Sequence, residues 1–220
     1  MIDMNKFNKV LKRVIKPARY IGMEINSIVK DFNNVDVKFA FAFPDIYEVG
    51  MSHLGLHILY NLLNEKEYIA CERVFAPWVD MEEEMKKEEI PLFTLENREP
   101  IGNFDFVGFT LQYEMSYTNI VNMLHLGNIP ILSKDREEED PFIIAGGPCA
   151  YNPEPIADII DFFVIGEGEE VILEILEKYR EFKKTSGTKL DFLKEVSQIQ
   201  GVYVPRFYEI HYNKDNTIKE

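Results

Sequence analysis

Phe142-Ile143-Ile144-Ala145-Gly146-Gly147-Pro148 is the stretch on which the fold turns. Its first four residues are apolar without a break, and the run stops at two glycines and a proline. A strand that is apolar on both faces belongs in a parallel sheet covered by helices on both sides. Three more segments end as abruptly: Val37–Phe43 at Pro44-Asp45, 104–109 at Thr110, and 162–165 at Gly166-Glu167-Gly168-Glu169-Glu170. In open α/β sheets, ligands bind outside the carboxyl ends of the strands. Four strand ends of unusual chemistry therefore predict one crevice.

Periodicity supplies the rest of the layout. Residues 3–14 carry Phe7, Val10, Leu11 and Val14 at helical spacing. Pro17 ends that helix, and 17–22 reads as an extended arm. The first strand spans 35–43. Ser52 is the expected cap of a helix whose apolar stripe is Leu54, Ile58, Leu59, Leu62 and Leu63. A strand at Ile69–Phe75, a helix over 80–89 with Asp80 and Glu83 as a capping pair, and a short strand at 91–95 follow. A strand over 104–111 leads to a helix over 118–126 that Gly127 closes. After the 142–145 strand come a short helix at 154–160, a strand at 162–165, and helices at 167–184 and 191–199.

Strands alternating with helices at this spacing predict an α/β fold. The expected sheet is open, mainly parallel and five-stranded, with helices on both faces. Residues 1–34 form an N-terminal helix and arm, 35–185 the α/β domain, and 186–220 a C-terminal α+β extension. The strand-like run 202–212 and the turn 213–216 leave four residues for a return strand, too few for one. The chain is therefore expected to be a piece of a longer polypeptide.

The net charge of -14 argues against a broad electrostatic grip on nucleic acid or an anionic membrane. The start, 1–16, is a mixed-charge stretch without the apolar centre of a signal peptide, and no apolar run has the length of a membrane span. Cys71 and Cys149 make neither a disulfide framework nor a zinc pattern, so a reducing, cytoplasmic setting is the expectation.

The strand ends carry the chemistry. Gly146 and Gly147, followed by Pro148, let the backbone turn and a ligand approach it. Gly166-Glu167-Gly168 opens a helix, whose free amides favour an anion. Glu167, Glu169 and Glu170 instead repel a phosphate and suit a hydroxyl-rich or cationic ligand, and they equally compensate the helix dipole. No Gly-x-Gly-x-x-Gly follows the first strand, so the dinucleotide fingerprint is absent. His53 and His57 share a helix face but lack further nearby ligands for a metal. Ser52-His53 lacks the reach of a nucleophile pair. Tyr113, Glu114, Tyr117 and Asn119 crowd the loop after the third main strand and suit a planar ligand or a docked domain. His53 with Glu114 is a candidate acid–base pair for an independent enzyme.

Six phrases in order resemble one family: Lys16-Pro-Ala-Arg-Tyr-Ile-Gly22, Phe43-Pro-Asp-Ile-Tyr-Glu-Val-Gly-Met-Ser-His-Leu-Gly55, Glu72-Arg-Val-Phe-Ala-Pro-Trp78, Leu111-Gln-Tyr-Glu-Met-Ser-Tyr-Thr-Asn119, Ile144-Ala-Gly-Gly-Pro-Cys149 and Ile165-Gly-Glu-Gly-Glu-Glu170. They are similar to the N-terminal region of radical S-adenosylmethionine (radical SAM) proteins that carry a cobalamin-binding-like domain before the radical domain. The resemblance covers nearly the whole chain. It implies a Rossmann-like, flavodoxin-type sheet and a downstream radical SAM domain as partner. There a Cys-x-x-x-Cys-x-x-Cys motif binds a [4Fe–4S] cluster that cleaves S-adenosylmethionine. This chain has no such motif.

The resemblance further implies a small-molecule cofactor, cobalamin. The residues it would place around it are Ser52, His53 and Gly55 after the first strand, and Thr110, Tyr113 and Glu114 after the third main one. Gly146, Gly147 and Pro148 follow the fourth, and Gly166, Glu167 and Gly168 the fifth. Domains that ligate cobalt carry Asp-x-His-x-x-Gly. Here Met51 holds the Asp position, and Gly55 stands two residues after His53 instead of three. Three functions stay open: a cofactor holder or scaffold for a radical SAM enzyme, an interaction module with an empty crevice, and an independent small-molecule enzyme.

Overall fold

The computed structural model describes residues 1–217 and 219. Six strands form one sheet: β1 (Val37–Phe43), β2 (Ile69–Phe75), β3 (Phe106–Thr110), β4 (Phe142–Gly146), β5 (Phe162–Val164) and β6 (Val202–Tyr203). Their order is β2-β1-β3-β4-β5-β6, and all neighbours are parallel except β5 and β6. The sheet thus has one strand more than the five expected. From the run 202–212, Val202 and Tyr203 join the sheet, antiparallel to Val164 and Phe163, while Tyr212 lies in an isolated bridge and His211 O accepts the Lys219 amide at 2.8 Å across the turn 213–216. Pro205 then opens a single tight turn, Pro205–Phe207, and stops the ladder.

Among the described residues, seven α-helices accompany the strands: α1 (Met4–Leu11), α2 (Tyr47–Gly50), α3 (Leu54–Asn64), α4 (Val79–Glu88), α5 (Tyr117–Leu126), α6 (Gly168–Phe182) and α7 (Lys189–Val196). Two cores lie on opposite faces of the sheet, which makes the arrangement Rossmann-like. One core joins α1, α4 and α5 to Ala40, Ala42, Val107, Ile143 and Ala145. The other joins α3, α6 and α7 to Phe39, Phe41, Phe106, Phe142 and Ile144. Strand side chains alternate between faces, so β1 presents small alanines to one layer and phenylalanines to the other. Each fully buried phenylalanine contributes about 1.5–3 kcal/mol. An aromatic cluster of Phe106, Phe142, Tyr179 and Phe192 seals the amino end of the second layer.

The edge strand β2 is buried along its whole length. Residues 93–97 lie over it: Leu95 N donates to Arg73 O at 2.9 Å, and the Glu96 carboxylate accepts the Arg73 amide at 2.8 Å. The strand expected at 91–95 is therefore a strap, with one isolated bridge from Phe93 to Pro100. The helix expected at 154–160 is a single tight turn, Glu154–Ile156, between Pro153 and Ala157. Asp80 does not cap α4. Trp78 holds that position, and the Asp80 carboxylate accepts from Ile15 N instead. The N-terminal arm is tied down as well, with Arg13 paired to Glu84 and Glu88 and with Phe7 and Val10 buried.

Candidate functional site

Side-chain size along β3 and β4 opens the site. On the face toward α3 and α6, β3 presents Phe106, Gly108 and Thr110, and β4 presents Phe142, Ile144 and Gly146 in matching register. Both rows start on a phenylalanine and carry only smaller side chains toward the carboxyl end of the sheet. At the other end the rings of Phe106 and Phe142 pack against Tyr179 of α6 and hold that helix off the sheet. A cavity of about 300 Å³ remains between the sheet and the two helices.

Its walls are Phe39 and Phe41 of β1, Leu59 and Leu63 of α3, and Ile144, Val164 and Ile172. At its mouth stand His53, Gly55, Thr110, Gln112, Gly146, Gly147, Gly166, Glu167, Gly168 and Glu169. Gly108 is needed for close packing, since a Cβ there would lie 2.4 Å from the Phe39 ring. Gly147 is needed for the turn: its φ is +103°, and a Cβ would approach the Leu111 carbonyl to 3.0 Å. Gly146 is different. Its nearest neighbour to a built Cβ is 3.5 Å away, an ordinary contact, so the protein itself does not require glycine there.

Eight of the expected site residues meet at this cavity: His53, Gly55, Thr110, Gly146, Gly147, Gly166, Glu167 and Gly168. Four do not. Ser52 is exposed, and its hydroxyl donates to Glu48 O at 2.7 Å. Tyr113 and Glu114 are exposed in the turn before α5, and Pro148 is exposed at the start of the turn Pro148–Tyr151. Glu114 therefore does not share the cavity with His53, as the acid–base reading requires. Tyr117 packs against the other core, and Asn119 donates to Pro44 O at 2.9 Å, tying α5 to the loop after β1.

The expected cap Ser52 is displaced by its neighbour. The turn α2 intervenes between β1 and α3, so Met51 closes α2, Ser52 falls between the two helices and His53 caps α3. The His53 Nδ1 accepts the Leu56 amide at 3.1 Å, and its ring tilts against Phe43 with centroids 5.3 Å apart. His57 reaches the Met51 carbonyl at 2.8 Å through Nε2. Thr110 is 9% exposed, and its hydroxyl accepts from Gln112 Nε2 at 2.7 Å. Among the described residues, no group of three or more His, Cys, Asp or Glu side chains is placed to hold a metal ion. No helix among them is long and apolar enough to cross a membrane. Both cysteines are free, and burial pushes the Cys71 thiol well above its usual range.

A buried ion network backs the loop that carries His53. Arg73 of β2 pairs with Glu96 of the strap and Glu24 of the arm, at 2.6 and 2.8 Å. Its guanidinium touches the Met51 sulfur at 3.2 Å and lies over the Tyr60 ring of α3. Tyr47 of α2 donates to Glu24 at 2.8 Å, and burial together with that carboxylate pushes its hydroxyl up to about 12.

The family model for the N-terminal region of radical SAM proteins matches residues 55–205. A protein of Methanocaldococcus jannaschii, itself uncharacterised, is 30% identical over 156 residues, which are 69% of this chain and 28% of that relative. The chain thus spans less than a third of the relative's length. No solved structure matches it. The family match takes in α3 from Gly55 onward, every strand after β1, and all of the cavity's glycines. The chain belongs to the radical SAM proteins, as their N-terminal region.

Proposed function

We propose that this chain is a cobalamin-binding-like module, which holds a cofactor at the carboxyl edge of its sheet for a radical SAM domain elsewhere in a longer polypeptide. The observation that carries this reading is the tapered cavity of about 300 Å³ at the strand ends, with a mouth of glycines. The order β2-β1-β3-β4-β5 is that of flavodoxin-type sheets, whose ligands sit where β1 meets β3. Phe39, Phe41, Gly108 and Thr110 line the cavity at that junction.

A volume at the small end of ligand pockets is far too small for a corrin ring. It would suit the flat, apolar nucleotide-base end of cobalamin, and the corrin would remain outside the cavity. At the mouth the backbone of Gly146, Gly147 and Gly166 leaves room for it. When bound, cobalamin supplies alkyl transfer through its cobalt. The residues of this chain bind, orient and shield it. A [4Fe–4S] cluster does not fit this chain, because Cys71 is sealed in β2 and only Cys149 remains. Cluster and S-adenosylmethionine are assigned to the downstream domain.

A second reading, a docking module, is favoured by the loops around the mouth. Those following β1 to β4 expose Val49, Leu54, Trp78, Tyr113, Met115 and Tyr151. A visible-absorbance titration with hydroxocobalamin separates the two readings. A saturable spectral change supports the cofactor role. An unchanged spectrum at excess cobalamin overturns it and leaves docking.

A further inference from the structure

His53 stands where the family resemblance would look for a cobalt ligand, and its surroundings do not fit that role. Its Nδ1 accepts the Leu56 amide at 3.1 Å. A backbone amide only donates, so Nδ1 carries the lone pair and Nε2 carries the proton. An imidazole that binds a metal through Nε2 needs the opposite tautomer, with Nδ1–H given to a carboxylate or carbonyl. Here that proton would face another N–H. Met51, at the position where cobalt-ligating domains place Asp, has its sulfur on Arg73 and its carbonyl on His57.

The local sequence holds the ring in this state. Leu56 is buried, and its amide belongs to the first turn of α3, which has no partner within the helix. Gly55 makes space for the imidazole: a Cβ there would lie 3.0 Å from its Cε1. Phe43 supports the ring from the sheet side. The Nε2 atom makes no hydrogen bond among the described residues, and His53 lines the cavity.

We infer that His53 serves the crevice as a fixed hydrogen-bond donor through Nε2–H, and not as a ligand to cobalt. The group it recognises is a neutral oxygen acceptor, such as a carboxamide on the rim of a corrin. Glu167 and Glu169 at the same mouth disfavour an anionic one. The inference rests on the crevice being a corrinoid site.

Three measurements test it. Nitrogen-15 NMR of the ligand-free chain is expected to show the His53 Nδ1 bare and Nε2 protonated; the reverse assignment overturns the inference. Paramagnetic resonance of cob(II)alamin bound to unlabelled and nitrogen-15-labelled protein is expected to show the same nitrogen superhyperfine structure on the cobalt lines. A change on labelling means a protein nitrogen on cobalt and also overturns it. His53→Asn keeps a good helix cap but removes the ring donor. It is expected to leave the melting temperature unchanged and to weaken cobalamin binding about tenfold, a loss in the range of one hydrogen bond. Unchanged affinity would reduce His53 to a cap. No binding by the wild-type chain overturns the corrinoid reading and the donor role together, whereas binding with a bare Nε2 overturns the donor role alone.

Discussion

Arg73 and Glu96 meet in the buried edge of the sheet, with Nε and Oε1 2.6 Å apart and neither side chain more than 3% exposed. The pair joins β2 to the strap that covers it. Through Glu24 and Met51 it also reaches the arm and the loop before His53. Burial opposes the charge on the guanidinium, and the two carboxylates more than offset this, so Arg73 holds its proton more tightly than usual.

Removing one partner of such a pair leaves an uncompensated buried charge. Arg73→Met is expected to cost about 3–5 kcal/mol in denaturant unfolding. The double variant Arg73→Met with Glu96→Met is expected to recover most of that loss, because two apolar side chains replace both charges. Equal losses in the single and double variants would show that the pair is not what holds the strap.

Glu72, the neighbour of Arg73, is buried and accepts hydrogen bonds from Thr94 and Asn97. Burial nonetheless pushes its carboxyl from 4.5 up to about 7. A folded value above the unfolded one means stability that is complete below pH 4.5 and lost as the pH rises through about 7. The loss amounts to about 3 kcal/mol. Thermal melts of the wild type from about pH 5 to pH 8 are expected to fall, and Glu72→Gln to flatten that slope. A slope unchanged in the variant would assign it to other groups.

The exposed apolar side chains in the loops after β1 to β4 are expected to act in association and not in folding. Trp78→Ser and Met115→Ser are predicted to change stability by less than about 0.5 kcal/mol, as surface substitutions do. Each is also predicted to weaken binding to a separately expressed remainder of the polypeptide, measured by calorimetry. Full binding by both variants would place the contact elsewhere.

Much of this arrangement is legible in the chain. The apolar runs and their abrupt ends mark β1, β3, β4 and β5, and eight expected residues do meet at one cavity. The size taper Phe106, Gly108, Thr110 against Phe142, Ile144, Gly146 is also written there, and reading alternate residues would have revealed the cavity. A glycine inside a strand, Gly108, is the usual mark of such a close approach. Leu59, Leu63 and Ile172 could not be told from ordinary core residues, because a cavity wall and a packed layer ask for the same helical stripe. His53 as cap was hidden by Ser52, a better cap by propensity, until the intervening turn α2 moved the helix start by one residue. Tyr113, Glu114 and Pro148 lie close to the site in sequence, but tight turns carry them away from it.

The central claim is that the tapered cavity is the cofactor site, and Gly146 tests it most directly. Gly147 is fixed by its positive φ, whereas a Cβ at Gly146 meets only ordinary contacts within the protein. Equilibrium dialysis of cobalamin against the wild type and Gly146→Ala, with melting curves for both, is the measurement. The account predicts equal melting temperatures and at least about a tenfold loss of affinity in the variant, the effect of filling the space a ligand needs. Equal affinity in the two proteins would contradict it.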